Sequence, residues 1–416
     1  MGKIVKLKCG LRLALEEIPY VQSVTTGIWV KAGCVDEKEK ESGISHFIEH
    51  MMFKGTSKRS ARQLATDTDA LGAQTNAFTA KENTCYYAKS LSSNMDEVCD
   101  ILLEMMTDSQ FDPVEMEREK KVVMEEMKMT QDNPEDAVQD LFYEQIFKGE
   151  PLERPILGTP ESLAAITHDD IVNYIKREYA LDNIVVSVAG NFDEKQVCEQ
   201  FEERLSAFSA VKPERNIVVS DYRPSFKSVI KDIEQSHLVM GCRSIKYGDD
   251  DSYALMLLNN VMGGSMSSRL FQSVREEKGL AYTVYSYNQP HDQQGFYAIS
   301  AGVAHDKIED TVDAIKAELE KLAEEGITDK ELEISKQQIK SSYIFGLENT
   351  SSRMVANGKR ALLRNSLLSQ EEVIRKIDAV TMDDIRRVSN IITDINSYSG
   401  ALIGRRDLDL EKLIRG

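Results

Sequence analysis

The chain has 416 residues, 41% hydrophobic and 29% charged with only 9 prolines, which excludes a disordered or fibrous protein and suggests two cores of similar size. A net charge of −18 argues against nucleic acid as a partner and is compatible with basic peptides. No run approaches the roughly 18 consecutive apolar residues of a membrane span, so neither nucleic acid nor membrane is an expected partner.

The first residues, Met1-Gly2-Lys3-Ile4-Val5-Lys6, lack the apolar core of a signal peptide. Six widely spaced cysteines without a CxxC pair read as reduced thiols, so the expected location is the cytoplasm. Residues 6–15 and 23–32 alternate and carry β-branched side chains, which predicts two strands with a turn over 16–20. Ser42-Gly43-Ile44-Ser45 opens a helix, with Ser42 or Ser45 as the cap. Residues 62–71 read as a second helix, and 74–91 as strand-rich. Residues 95–108 and 113–130 read as helices, the latter with Pro113 in its first turn. Residues 184–188 read as a short buried strand.

Residues 209–225 hold two prolines and polar residues, and mark a domain boundary. Beyond it the pattern repeats. Tyr86-Tyr87-Ala88-Lys89-Ser90 ahead of a helix resembles Phe296-Tyr297-Ala298-Ile299-Ser300 ahead of another. Phe111-Asp112-Pro113 likewise resembles Ile327-Thr328-Asp329, at an offset of about 210 to 216. The division is therefore 1–210, a linker over 211–225, and 226–416. The fold class is α+β: two homologous domains, each a mainly antiparallel sheet packed with helices. The second half carries serines, Ser335 and Ser342, where the first has Glu119 and Glu126.

The segment His46-Phe47-Ile48-Glu49-His50 places two imidazoles four residues apart on one helix face, with Glu49 beside them. Two imidazoles can bind a divalent metal, and a neighbouring carboxylate can deprotonate its water. Chance alone gives an HxxEH in about one per cent of chains this long. A catalytic zinc usually takes three protein ligands. The helix over 113–130 offers Glu115, Glu117, Glu119, Glu125 and Glu126, and helical spacing does not choose among them.

Together these features resemble the pitrilysin/insulinase metallopeptidases, in the bacterial type of the mitochondrial-processing-peptidase-like branch. The resemblance spans essentially the whole chain and is densest over Gly43-Ile44-Ser45-His46-Phe47-Ile48-Glu49-His50-Met51-Met52-Phe53-Lys54-Gly55-Thr56. It implies one zinc ion per chain held by His46, His50 and Glu126, with Glu49 as general base and Glu119 supporting the site. Asn76-Ala77-Phe78-Thr79 resembles the family's substrate-binding edge strand, and Met262-Gly263-Gly264-Ser265-Met266-Ser267-Ser268-Arg269-Leu270-Phe271 its second-domain glycine loop. Arg275 and Tyr282 match an Arg/Tyr pair that reaches the substrate carbonyl.

The resemblance further implies an endopeptidase acting on short or unfolded peptides in a closed chamber. Such a chamber has four domains, hence a homodimer of this chain. The sequence leaves two rivals: a catalytically inactive chamber subunit or peptide-binding protein of the same fold, and a metalloenzyme acting on small molecules.

Overall fold

The computed structural model describes residues 2–206, 208 and 219–416. Residues 211–218 of the expected linker lie outside the described residues; 219–225 run without helix or strand. The chain forms two compact units, each a mixed sheet packed with helices.

The first unit's sheet has the order β1-β2-β6-β3-β5-β4, with β1 Lys3–Lys6, β2 Arg12–Glu17, β3 Ser23–Val30, β4 Gln74–Thr79, β5 Thr84–Leu91 and β6 Ile184–Gly190. β2 and β6 run parallel and the other neighbours antiparallel. The expected single strand over 6–15 is instead a hairpin. Gly10 adopts φ +101 and lets the chain reverse, with the Leu7 amide donating to the Leu11 carbonyl at 2.8 Å. The strand-rich region 74–91 is likewise a hairpin, which leaves β4 on the sheet edge.

The helices of this unit include α1 Ile44–Met51, α2 Ala61–Ala70, α3 Met95–Asp108 and α4 Pro113–Asp132. Their apolar faces share a core with one side of the sheet, through Ile44, Phe47, Ile48, Leu102, Val123, Ile28 and Val186. Neither Ser42 nor Ser45 caps α1. The N-cap is Gly43 at φ +88, and the buried Glu37 carboxylate accepts from the Gly43 and Ser45 amides at 2.8 and 2.9 Å. An anion at a helix N-terminus satisfies its orphan amides and matches the helix dipole.

The second unit's sheet has the order β7-β11-β8-β10-β9, with β7 Phe226–Ile230, β8 Ser236–Ser244, β9 Ala281–Pro290, β10 Gly295–Val303 and β11 Ser399–Gly404. The repeat is visible here. β10 precedes a helix over Ile308–Glu325, and Asp329–Gly346 forms the counterpart of α4.

The contiguous division at residues 210 and 226 does not match these compact units. The first comprises Met1–Met127, Arg154–Ile217 and Ile344–Ser369; the second comprises Lys128–Glu153, Val218–Tyr343 and Gln370–Gly416. The cause is the second face of each sheet. β3 and β6 are buried along nearly their whole length, so helices on one side cannot suffice. The helix Thr350–Arg364 covers the other side of the first sheet, where Met354, Ala361 and Leu362 pack with Ala14, Trp29, Cys85 and Val185. Gly358 permits the approach: a Cβ there would stand 2.1 Å from Trp29 Nε1. In exchange, α5 (Pro134–Ile146) packs in the second unit, where Phe142 and Tyr143 meet Phe296 edge-on.

Candidate metal centre

α1 buries Ile44, Phe47, Ile48 and Met51, which fixes its rotation and brings His46 and His50 to the same side. Their rings lie 4.5 Å apart. α4 buries Met116, Val123 and Met127 and so turns Glu119 and Glu126, seven residues apart, toward α1. Ligating atoms of His46, His50 and Glu126 all lie within 4.8 Å of one another, the one such group of three among the described residues. Glu126 stands 3.7 Å from His46 Nε2 and 3.5 Å from His50 Nε2.

These separations are long for hydrogen bonds. Two ligands each about 2.1 Å from a tetrahedral ion stand about 3.4 Å apart, close to the two separations of Glu126 from the imidazoles. Two imidazole nitrogens and one carboxylate oxygen also make the donor set of a catalytic zinc site, with room for water. The residues therefore fit the ion.

Glu115 and Glu117 of α4 pair along their own helix. Glu115 pairs with Arg118, and Glu117 with Lys120 at 2.9 Å. Glu119 is 4% exposed and accepts from His50 Nδ1 at 2.8 Å; its other oxygen lies 2.6 Å from Lys54 Nζ. His46 is 7% exposed, and its Nδ1 has no hydrogen-bond partner among the described residues.

Charge follows from these contacts. Burial, aided by the neighbouring His50 charge, lowers the His46 pKa to about 4. Burial alone lowers His50 too, but the Glu119 and Glu126 carboxylates outweigh it and raise the pKa to about 9. The nearby His50 imidazole holds Glu126 below the ordinary carboxylate range. Burial raises Glu49 above it, while the Thr79 hydroxyl pulls the other way.

Thr79 Oγ1 donates to Glu49 Oε2 at 2.5 Å, so the last residue of β4 contacts the carboxylate expected to act as base. On the same edge strand, Asn76 Oδ1 accepts from the Ala77 amide at 2.8 Å. Phe78 meets Trp29 edge-on at 5.4 Å, which points its ring into the sheet's far side rather than leaving it free for a ligand.

Arg275 and Tyr282 belong to the second unit and lie together. The guanidinium sits 5.7 Å from the Tyr282 ring centroid and 4.7 Å from that of Phe271. Arg275 lies in a π-helical stretch over Phe271–Glu277, and Tyr282, 69% exposed, on the edge strand β9. In the same unit, Asn260 Nδ2 donates to Ser335 Oγ at 3.2 Å, an amide–hydroxyl contact at the place where the first unit has His50 and Glu119.

Sequence reasoning missed Glu37 and Lys54. Lys54 follows His50 by four residues, a signal that helical spacing offers; Glu37 lies in a preceding loop with no periodicity to read.

Comparison with known proteins agrees with the fold. Residues 12–160 match the insulinase family (peptidase family M16), and residues 165–339 match the peptidase M16 inactive domain. The chain is 41% identical over 395 residues to the uncharacterized zinc protease YmxG of Bacillus subtilis, covering 95% of this chain and 96% of that one. It superposes on a protease from Helicobacter pylori with a TM-score of 0.89 at 23% identity, covering 97% of this chain and 99% of that one. It superposes on a peptidase M16 inactive domain structure from Pseudomonas fluorescens with a TM-score of 0.91 at 18% identity, covering 98% of each. Two matched domains and a relative alike over nearly its whole length place this chain in the insulinase family, peptidase family M16.

Proposed function

We propose that this chain is a zinc-dependent endopeptidase that hydrolyses short or unfolded peptides. The observation that carries the reading is the convergence of His46, His50 and Glu126 beside Glu49. His46, His50 and Glu126 hold the ion. Bound there, zinc supplies polarisation of the scissile carbonyl and acidifies water near neutral pH.

Glu49 accepts the water's proton and returns it to the leaving amine. With Oε2 held by Thr79, the proton is handled at Oε1. The peptide lies as an added strand on the β4 edge, whose outward backbone groups pair with extended polypeptide. Arg275 and Tyr282 stabilise the oxyanion, a contribution of about 3 to 4 kcal/mol. The reading includes a closed chamber of two copies, each lending its Arg275 and Tyr282 to the other's zinc. A chamber of this kind admits flexible chains and excludes folded proteins.

The test is Glu49→Gln in the full-length chain. Zinc content at the wild-type level with cleavage of a quenched peptide reduced about a hundredfold or more is expected. Wild-type cleavage by this variant removes Glu49 from the mechanism. A wild-type chain that holds zinc and cleaves no peptide supports the rival, a peptide-binding chamber subunit.

A further inference from the structure

We propose that Lys54 is a positioning residue of the metal site: through Glu119 it fixes the His50 imidazole for a divalent cation. The inference rests on the reading of His46, His50 and Glu126 as ligands.

The local chain explains why Lys54 reaches the site. α1 ends at Met51, and its last turn tightens. The Met52 amide still donates four residues back, to Ile48, but those of Phe53 and Lys54 donate three back, to His50 and Met51, at 3.2 and 3.1 Å. The chain thus continues one helical turn beyond His50 and sets Lys54 above it. Gly55 then turns the backbone away at φ +120, a conformation that favours glycine.

Glu119 meets both residues. One oxygen takes His50 Nδ1 at 2.8 Å and the other takes Lys54 Nζ at 2.6 Å. Each oxygen of the carboxylate has its own donor, so reorienting it breaks a bond that its charge strengthens. That fixes the plane of the acceptor facing Nδ1, and the ring then presents Nε2 toward Glu126. Outer carboxylates commonly orient ligating histidines in this way. Here the carboxylate is itself held by a cation.

Two plainer accounts of Lys54 are available. A lysine near a helix C-terminus gains a few tenths of a kcal/mol from the dipole, and an exposed ion pair gains little. Neither suits a partner as enclosed as Glu119, whose side chain is 6% exposed against 29% for Lys54. A buried carboxylate stripped of its cation is costly. The second unit gives an internal contrast. Its Asn260–Ser335 contact has no acid to hold, and the residue four after Asn260 is Gly264, which carries no charge.

The consequence is an uneven site. His46 is set by packing alone, its Nδ1 lacking a partner among the described residues, whereas His50 depends on the Lys54–Glu119 chain. The test uses the full-length chain with Lys54→Met, Lys54→Gln and Lys54→Arg, and reads zinc affinity by chelator competition and the visible spectrum of the cobalt-loaded protein. Weakening of zinc binding by about tenfold in the Met and Gln variants is expected, with a changed cobalt spectrum and rescue by Arg to within about threefold. Lys54→Gln keeps a polar, uncharged end on a side chain one atom shorter and covers the case in which Met fails to fold. Zinc affinity within about twofold of wild type in the folded Met or Gln variant, with an unchanged cobalt spectrum, overturns the inference and leaves the metal centre standing. Wild-type zinc affinity in His50→Ala overturns the metal centre and the inference together.

Discussion

The hydroxyl of Thr79 donates to Glu49 Oε2 at 2.5 Å, tying the end of the β4 edge strand to the acid between the two histidines of α1. The bond fixes one carboxylate oxygen and favours the ionised form, against the effect of burial. Thr79→Val is therefore expected to lower kcat about tenfold or more, as loss of a hydrogen bond to a charged group does. KM and zinc content should stay near wild type, and Thr79→Ser should recover most of the rate. Removing a donor to the anion raises its pKa, so the acid limb of the pH–rate profile moves to higher pH. A Val variant with wild-type kcat and profile removes Thr79 from this role.

Zinc uptake should release a proton. In the metal-free chain His50 is raised to about 9 and His46 lowered to about 4, so at pH 7 the pair holds one proton, on His50. Ligation requires neutral imidazole. Apparent zinc affinity should rise about tenfold per pH unit between pH 6 and 8 and level off near the His50 value. The metal-free fold follows the opposite sign. A raised histidine contributes stability that is full below its ordinary pKa of 6.5 and is lost as pH rises through about 9. Titration calorimetry in buffers of different ionisation enthalpy measures the release; no proton release at pH 7 contradicts the assignment.

Acid stability of the second unit should depend on Glu331. Burial alone raises this carboxylate, but the paired Arg269 and the Thr328 amide and hydroxyl outweigh it and hold it at about 2. Arg269 binds it through Nε and Nη2 at 2.7 and 2.9 Å. A depressed acid stabilises above its ordinary pKa of 4.5, and the contribution disappears as pH falls toward 2. Glu331→Gln should flatten the stability loss over that window, read as urea midpoints at pH 6, 4 and 3. An acid limb identical to wild type counts against the pair.

Gly358 should not tolerate a side chain. A Cβ there lies 2.1 Å from Trp29 Nε1, against a stiff ring. Gly358→Ala is expected to destabilise the first unit by about 1–2 kcal/mol, since overpacking outweighs the better helix propensity of alanine. Trp29 is the chain's sole tryptophan, so its fluorescence in urea reports this contact directly. An unchanged midpoint would show that the helix Thr350–Arg364 can shift outward freely.

The dimeric part of the proposal has its own test. Glu49→Gln chains mixed with Tyr282→Phe chains form some pairs with one intact set of groups if Tyr282 serves the other copy's zinc. Recovery of about a quarter to a half of wild-type rate is expected from that arrangement. No recovery in heterodimers shown to form places Tyr282 in cis or outside the reaction.

Much of the metal helix was legible in the amino-acid order. His46, Glu49 and His50 share a face because spacing along one helix is local geometry, and Phe47, Ile48 and Met51 say which side is buried. The duplicated architecture could be read for the same reason, since strand alternation and helix periodicity recur at a near-constant offset. The hairpin at Gly10 was misread as continuous strand because alternation alone does not show a reversal that depends on one positive φ.

The rest needed packing. Spacing does not choose among five glutamates on α4; burial of Met116, Val123 and Met127 turns Glu119 and Glu126 toward α1, and only Glu126 comes beside Nε2 of both histidines. The exchanged helices were hidden because a sheet's second face accepts any apolar helix that fits, whatever its place in the chain. Glu37 beneath the α1 N-terminus, and Lys54 and Glu119 on His50, are meetings of side chains from different elements. Periodicity is a property of one element and survives in the sequence; which faces meet is set by the burial of all of them together, and only the folded chain decides that.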